Sequence, residues 1–201
     1  MAPENTFIAV LIKIFFLLTP FFILSMFVAM TQHMSRSQRN AVAAKTMLSN
    51  LVICLLLYFF GVPLFYFLGI TLDAFRIGAG TILFFTAYDL ISGKTPALPD
   101  TEEGDISVVP LSIPFTIGPG TIGALLVMGG SATTPAEKMV DSGGIAVAVL
   151  LAGSMLFVGN WIEHAIGRKG LNILSKLTGL MLAALASQII FTGIKNFLFS
   201  K

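Results

Sequence analysis

The chain has 201 residues, of which 56% are hydrophobic and only 11% are charged, with a formal net charge of +2. A soluble domain usually has about 25% charged residues, so this chain has too few charges to cover a surface exposed to water. The composition excludes an ordinary soluble protein and favours one compact domain in a lipid bilayer. No long basic run is present, so nucleic acid is not an expected partner.

Six apolar segments are long enough to cross the hydrocarbon core, which requires about 20 helical residues. They cover roughly residues 7–31, 42–62, 64–91, 106–130, 142–162 and 170–197. The first exceeds the apolar core of a signal peptide, about 7–15 residues, and no basic residue precedes it, so we expect it to be retained. The pattern predicts an all-α membrane protein with six transmembrane helices.

Polar connectors separate these segments at roughly residues 32–40, 92–105, 132–141 and 163–170. The more basic side of a membrane protein is normally cytoplasmic. That side would hold the acidic linker at about 92–105, and both termini would then be non-cytoplasmic. The basic residues of this side are Arg36, Arg39, Lys45, Lys94, Arg168, Lys169 and Lys176, against Lys138, Lys195 and Lys201 on the other.

The two halves of the chain resemble each other at a spacing of about 100 residues: Thr19-Pro20 interrupts the first segment, and Gly118-Pro119 interrupts the fourth. Each half has three crossings, an odd number, so the second would enter the membrane from the opposite side. Such inverted-topology repeats are frequent among secondary transporters, which bind substrate near the midplane at paired interrupted helices. We predict one domain, residues 1–201, with repeat 1 at about 7–91 and repeat 2 at about 106–197.

The interruptions are expected at equal depth. Thr19 and Gly118 each lie about 12 residues into their segments, which at about 1.5 Å per residue is roughly 18 Å deep. The centre of a hydrocarbon core about 30 Å thick lies near that level. Both breaks would therefore meet near the bilayer midplane.

The densest group of helix-breaking residues is VPLSIPFTIGPGTI, residues 109–122. Proline removes backbone donors, and glycine permits conformations closed to other residues. An opened backbone in lipid is tolerated only where protein or a water-lined cavity satisfies it. A helix restarting near Gly120 would offer amide donors and a positive dipole end to a carboxylate. The alternative is a kink that only shapes packing, with Thr121 capping the new turn.

These features predict a substrate site at the two interruptions. Asp89, near the cytoplasmic end of the third segment, is a candidate ion or proton site or, alternatively, an ordinary interfacial acid. Asp73 and Arg76 are spaced to pair on one helix face. The predicted substrate-binding residues are Thr19, Pro20, Ser112, Thr116, Gly118, Pro119, Gly120 and Thr121.

No motif indicates an enzyme, a cofactor or a metal site. Cys54 is the single cysteine, and His33 and His164 have no partner at metal-ligand spacing. No nucleophile–base arrangement and no phosphate-binding loop is present. A passive channel would need more aligned polar residues. A non-transporting scaffold or partner-binding protein is the main alternative to a transporter, and for it the connector at residues 94–105 would matter most. Homo-oligomerisation is left open.

Three stretches resemble the MarC family of bacterial inner-membrane proteins: residues 109–122, GITLDAFRIGAGTILFFTAYDLI at 69–91, and GLNILSKLTGLMLAALASQIIFTGI at 170–194. The resemblance implies six transmembrane helices and the bacterial cytoplasmic membrane. Some relatives are classed as transporters of small neutral amino acids such as glycine and alanine, so it also implies transport.

The first interruption departs from the family pattern. Many relatives have an acid or amide before the first-helix proline, followed nearby by glycine, asparagine and proline. Here Thr19 holds that position, and Phe21 and Phe22 follow Pro20. This half of the site is therefore less polar. The reading is a secondary transporter of a small neutral solute, with an amino acid as one candidate, working by alternating access.

Overall fold

A computed structural model of the chain describes residues 7–93 and 106–199, and these ranges are almost entirely helical. A π-helical segment, Ser107–Thr116, precedes the fifth of the α-helices. Residues 94–105, most of the predicted cytoplasmic linker, lie outside the described residues. The α-helices of the described ranges are α1 (Phe7–Leu17), α2 (Pro20–Thr31), α3 (Arg36–Leu68), α4 (Leu72–Ser92), α5 (Pro119–Ser131), α6 (Pro135–Phe157) and α7 (Gly159–Phe199).

Four of these helices, α3, α4, α6 and α7, are each long and apolar enough to cross a membrane. Two further spans are bent: α1 and α2 meet at 41°, and the π segment and α5 meet at 72°. If each bent pair is one span, the described residues supply six spans. That number agrees with the six predicted segments, and the bends coincide with the two predicted interruptions.

Two connectors are shorter than the hydropathy pattern predicts, because capping boxes start the following helices early. α3 begins directly after Ser35, whose hydroxyl accepts from the Gln38 amide while the Gln38 side chain accepts from the Ser35 amide. α6 begins directly after Thr134, which has the same reciprocal arrangement with Glu137. As a result Asp141, assigned to a polar connector by hydropathy, lies inside α6.

Two glycines with positive φ interrupt or end helices, one away from the predicted boundary and one inside a predicted connector. The third apolar segment was expected to begin at about residue 64, but α3 runs through Pro63 and ends at Gly69, with φ 63°. The amide of Gly69 donates to the carbonyls of Phe65 and Tyr66, a common helix C-terminus. Gly167, with φ 69°, interrupts α7 inside the predicted connector at about 163–170, which is otherwise helical.

The helices pack so that each half of the chain covers the other. α1 packs against α6, and the π segment packs against α3; α4 packs against α5 and along α7, and α2 also contacts α7. Apolar side chains from both halves fill the interior, among them Ile14, Leu83, Leu125, Ile145 and Leu182. Many large apolar side chains remain exposed on the outer surface, including Trp161 and Phe191. An outer surface of this kind is suited to lipid rather than to water.

Glycines allow α5 to approach its neighbours closely, as small residues do at helix contacts in membranes. A Cβ added at Gly129 would overlap the carbonyl oxygen of Tyr58 in α3. On another face of α5, a Cβ added at Gly123 would lie 2.5 Å from the Cβ of Ala79 in α4. The second broken span is therefore held at backbone distance from both α3 and α4.

We predict that Gly129→Ala destabilises the protein, because the added methyl forces α3 and α5 apart; overpacking of this kind costs about 1–3 kcal/mol. Gly78→Ala is the matched control, since an added Cβ there meets no heavy atom within 4 Å. Thermal unfolding in detergent should show a lower midpoint for the first variant and an unchanged or slightly higher one for the second. Equal midpoints would contradict the close contact.

Candidate functional site

The two helix breaks border a cavity of about 340 Å³, here called the break cavity. It is lined by residues from the α1–α2 break, α4, the π segment and α5. Six of the nine predicted substrate and ion-site residues line it, and Pro20, Ser112 and Gly120 do not. The six are Thr19, Asp89, Thr116, Gly118, Pro119 and Thr121.

Thr19 carries the first break. It has a left-handed backbone, with φ 48°, between the end of α1 and Pro20, the first residue of α2. A positive φ is rare for a β-branched residue and stores strain of the order of 1–3 kcal/mol, a feature that clusters at functional sites. The Thr19 hydroxyl is buried and has no hydrogen-bond partner among the residues that the structure describes. It is therefore an unsatisfied polar group on the wall of the break cavity.

The second break begins in the π segment, where Val109 and Ile113 have extended backbone angles. Hydroxyl groups within this segment donate to its own backbone carbonyls. Ser112 donates to the Ser107 carbonyl at 2.9 Å, and Thr116 donates to the Leu111 carbonyl at 2.7 Å. These two hydroxyls, expected to contact a solute, are therefore already engaged in holding the segment together.

Helix α5 restarts at Pro119, with Gly118 at the N-cap position and no side-chain cap. Its first turn therefore leaves backbone amides directed toward the break without a capping side chain, which favours an anionic group there. Thr121 does not cap this turn, contrary to the packing alternative. Its hydroxyl instead donates to the Leu17 carbonyl, at 3.2 Å, across 104 residues of sequence.

The Thr121–Leu17 hydrogen bond joins the first turn of α5 to the last residue of α1. It is accompanied by an edge-to-face contact between Phe22 and Phe115, whose ring centroids are 6.2 Å apart. The two breaks, 99 positions apart at Thr19 and Gly118, are thus in direct contact through side chain and backbone.

Gly120 occupies a packing position. A Cβ added there would lie 2.8 Å from the Cα of Leu83 in α4. Replacing Gly120 would disturb the α4–α5 contact before it affected a bound solute. Asp89 borders the break cavity near the end of α4 but is exposed.

A second cavity, of about 240 Å³, lies on the other side of the contact between the breaks. Leu17 lines this cavity whereas Thr121 lines the break cavity, so their hydrogen bond lies between the two spaces. We call it the charged cavity, because its walls include Lys13, Arg76 and Asp141.

Arg76 and Asp141 are fixed by partners at the edges of the charged cavity. The predicted pair between Arg76 and Asp73 is confirmed, and Arg76 also donates to the Ser131 hydroxyl at 2.8 Å. Asp141 is only 2% exposed, and Tyr58 donates to its Oδ2 atom at 2.9 Å. Sequence reasoning missed Asp141, although the Thr134–Glu137 capping box could have placed it inside a helix.

Within the described ranges no group of three or more His, Cys, Asp or Glu residues could hold a metal.

We predict that Thr121→Val lowers stability, because the bond to Leu17 is lost; hydrogen bonds between membrane helices contribute about 0.6 kcal/mol on average and up to about 1.7. Thr178→Val is the matched control, since that buried hydroxyl bonds only to the Leu174 carbonyl of its own helix, where such bonds add little. Reversible unfolding in mixed micelles measures both. A loss no larger for Thr121→Val than for Thr178→Val would contradict a connecting role.

Comparison with known proteins places the chain in a family. The model of the MarC family integral membrane proteins matches residues 4–198. A UPF0056 membrane protein of Methanocaldococcus jannaschii is 32% identical over 94% of this chain and 96% of its own length. The UPF0056 membrane protein YhcE of Escherichia coli is 28% identical over 92% of this chain and 90% of its own length. The UPF0056 membrane protein YvbG of Bacillus subtilis is 28% identical over 93% of both chains.

These relatives come from both archaea and bacteria, and their names state neither a solute nor a reaction. No solved structure matches the chain. The family match covers both broken spans and all the residues that line the two cavities. The chain therefore belongs to the MarC family and is a multi-pass integral membrane protein.

Proposed function

We propose that the protein is a secondary transporter that moves a small neutral solute by alternating access. One observation carries the proposal: two interrupted spans meet at the Thr121–Leu17 hydrogen bond and the Phe22–Phe115 ring contact, with a cavity on each side of the hydrogen bond. Secondary transporters commonly bind substrate at paired discontinuous helices near the midplane. A thin contact between two spaces is the arrangement that alternating access requires.

The packing of the two halves supports an inverted repeat as part of this proposal. The broken first span packs against α6 of the second half through α1, and the broken fourth span packs against α3 of the first half through the π segment. Likewise α5 contacts α4, and α2 contacts α7. A pseudo-twofold axis in the membrane plane would relate the α1–α6 contact to the contact between the π segment and α3, and the α5–α4 contact to the α2–α7 contact. One repeat could then rock against the other.

The break cavity favours a small solute with a carboxylate. Its volume, about 340 Å³, is at the lower end of the range of about 300–1,000 Å³ for small-molecule sites. The uncapped start of α5 suits a negative group such as a carboxylate. The Thr19 hydroxyl can form a hydrogen bond with a polar atom of the solute. Asp89 can attract an ammonium group. Phe22 and Leu90 add apolar walls that leave room for a short side chain. A small neutral amino acid has these features.

Opening the contact between the cavities is energetically accessible. It requires the loss of the Thr121–Leu17 hydrogen bond, which at about 0.6–1.7 kcal/mol a bound solute can offset. The left-handed Thr19 residue and the uncapped Gly118 lie where the broken spans would bend. The proposal also includes the membrane orientation: the excess of basic residues on one side favours both termini on the non-cytoplasmic side of a bacterial cytoplasmic membrane.

The proposal predicts that glycine, alanine or serine raises the thermal unfolding midpoint of the purified protein in a saturable way. A ligand that binds only the folded state stabilises it by about 2.7 kcal/mol at 100 times its dissociation constant. Thr19→Val should abolish this shift. Without solute it should be no less stable than the natural protein, because it removes a buried hydroxyl that lacks a partner.

Thr81→Val provides the matched control for that experiment. Its hydroxyl bonds to the Ile77 carbonyl of its own helix, and the residue lines neither cavity. The control should keep the full shift and the same uptake of labelled solute into liposomes. No shift and no uptake with any of the three solutes would contradict amino-acid transport and favour the scaffold alternative, which depends on the connector outside the described residues.

A further inference from the structure

The charged cavity contains a buried acid that the proposed transport site does not use. Asp141 lies in α6, on the opposite side of the Thr121–Leu17 contact from the break cavity. Acidic side chains inside membrane spans are costly and usually mark ion or proton pathways. Its role is therefore a question separate from how the solute is bound.

The surroundings of Asp141 satisfy only half of its carboxyl group. Tyr58 donates to Oδ2 at 2.9 Å, while Oδ1 is buried and has no hydrogen-bond partner within residues 7–93 and 106–199. An ionised carboxylate has about four acceptor sites, so a single donor leaves the charged form poorly solvated. A protonated carboxyl, in contrast, would turn Oδ1 into a donor for water in the adjoining cavity.

Charged groups face Asp141 from several of the helices around the cavity. Lys13 of α1 attracts the carboxylate, and Glu137 of its own helix repels it. Arg76 of α4 lines the same space but is paired with Asp73. The polar residues of α7 that line the cavity, Gln188 and Thr192, are uncharged. In the described part of the chain, no acid lies within ion-pair distance of the half-buried Lys13 ammonium.

We propose that Asp141 is a proton-exchange site of the charged cavity. Oδ1 accepts a proton from a hydronium ion that enters the cavity. One O–H bond of the hydronium breaks as one forms on Oδ1, which leaves a neutral water molecule and a neutral carboxyl group, and the reverse step returns the proton. Tyr58 keeps its own proton and continues to donate to Oδ2. Each protonation raises the charge of the cavity by one.

The charge change has a physical consequence inside the cavity. With Asp141 ionised, its negative charge partly balances Lys13. Once Asp141 is neutral, the cations Lys13 and Arg76 draw anionic groups toward this cavity more strongly. The cavity borders Ala132, in the connection between α5 and α6, so the proton would come from the membrane side on which that connection lies.

A proton fits this position better than a metal cation. Hard cations such as Ca²⁺ take about six to eight oxygen ligands. In the part of the chain that the structure describes, the carboxyl group has one side-chain hydrogen bond, that of Tyr58. Lys13 and Arg76 would also repel a cation in the same space. A proton needs no ligand shell beyond the free Oδ1 atom.

Infrared difference spectroscopy over a pH titration of the protein in liposomes tests the proposal without any transported solute. We expect a carbonyl band of protonated carboxyl groups that gains and loses intensity with pH, and the loss of one component of that band in Asp141→Asn. Glu163→Gln is the matched control, because that acid pairs with Arg168 outside both cavities, and it should retain the band. The other acids of the chain also protonate as the pH falls, so the decisive quantity is the difference between the spectra of the natural protein and Asp141→Asn. Equal intensity of the titrating band in these two proteins would overturn the proposal.

Tyr58→Phe provides a second measurement that stays decisive if the asparagine variant does not fold. Loss of the phenol donor removes the hydrogen bond to Oδ2, so the titrating carbonyl band should move to higher frequency. An unchanged frequency would show that the band belongs to another acid. The spectra report proton exchange alone, so a failure here leaves solute transport standing, and a failure of uptake leaves proton exchange standing.

Discussion

The structure depends on one constraint of the lipid environment, which is that an interrupted helix must find partners for its freed backbone groups within the protein. The two broken spans meet this constraint partly through each other. Thr121 of the second break donates to the Leu17 carbonyl at the first, and hydroxyls within the π segment satisfy its own carbonyls. The breaks are consequently brought together in the interior, and a cavity remains on each side of their contact.

Close helix packing supplies the frame that holds the breaks in place. Gly123 and Gly129 bring α5 to backbone distance from α4 and α3, so the second broken span is fixed along its length after the break. The first broken span has its own support from α6 and α7. Helices from both halves of the chain therefore hold the contact between the breaks in place.

The two cavities differ in chemistry, and the difference suggests different tasks. The break cavity presents an uncapped helix start and a single free hydroxyl, which suit a small solute. The charged cavity presents a buried acid beside two cations, which suits proton exchange and a response to charge. Membership of the MarC family is compatible with both readings, since the names of the relatives specify no solute.

The sequence by itself determined the features that depend on local pattern. Length and apolarity of the segments were sufficient to predict six spans, because a helix must be long enough to cross the bilayer. Proline and glycine at residues 20 and 118–120 located both breaks, since their effect on the backbone is intrinsic. The Asp73–Arg76 pair followed from helix spacing alone. The capping-box patterns at Ser35 and Thr134 are also local, and they predict the observed starts of α3 and α6.

Only the tertiary structure decided which of these residues face a cavity. Hydropathy could not show that Asp141 is buried against Tyr58, because the partner is 83 residues away. Spacing likewise could not show that Gly120 packs on Leu83 whereas Thr19 faces the break cavity. Residues with similar local sequence therefore have different roles. The packing of helices that are distant in the sequence determines which atoms each side chain contacts, and no local pattern encodes that packing.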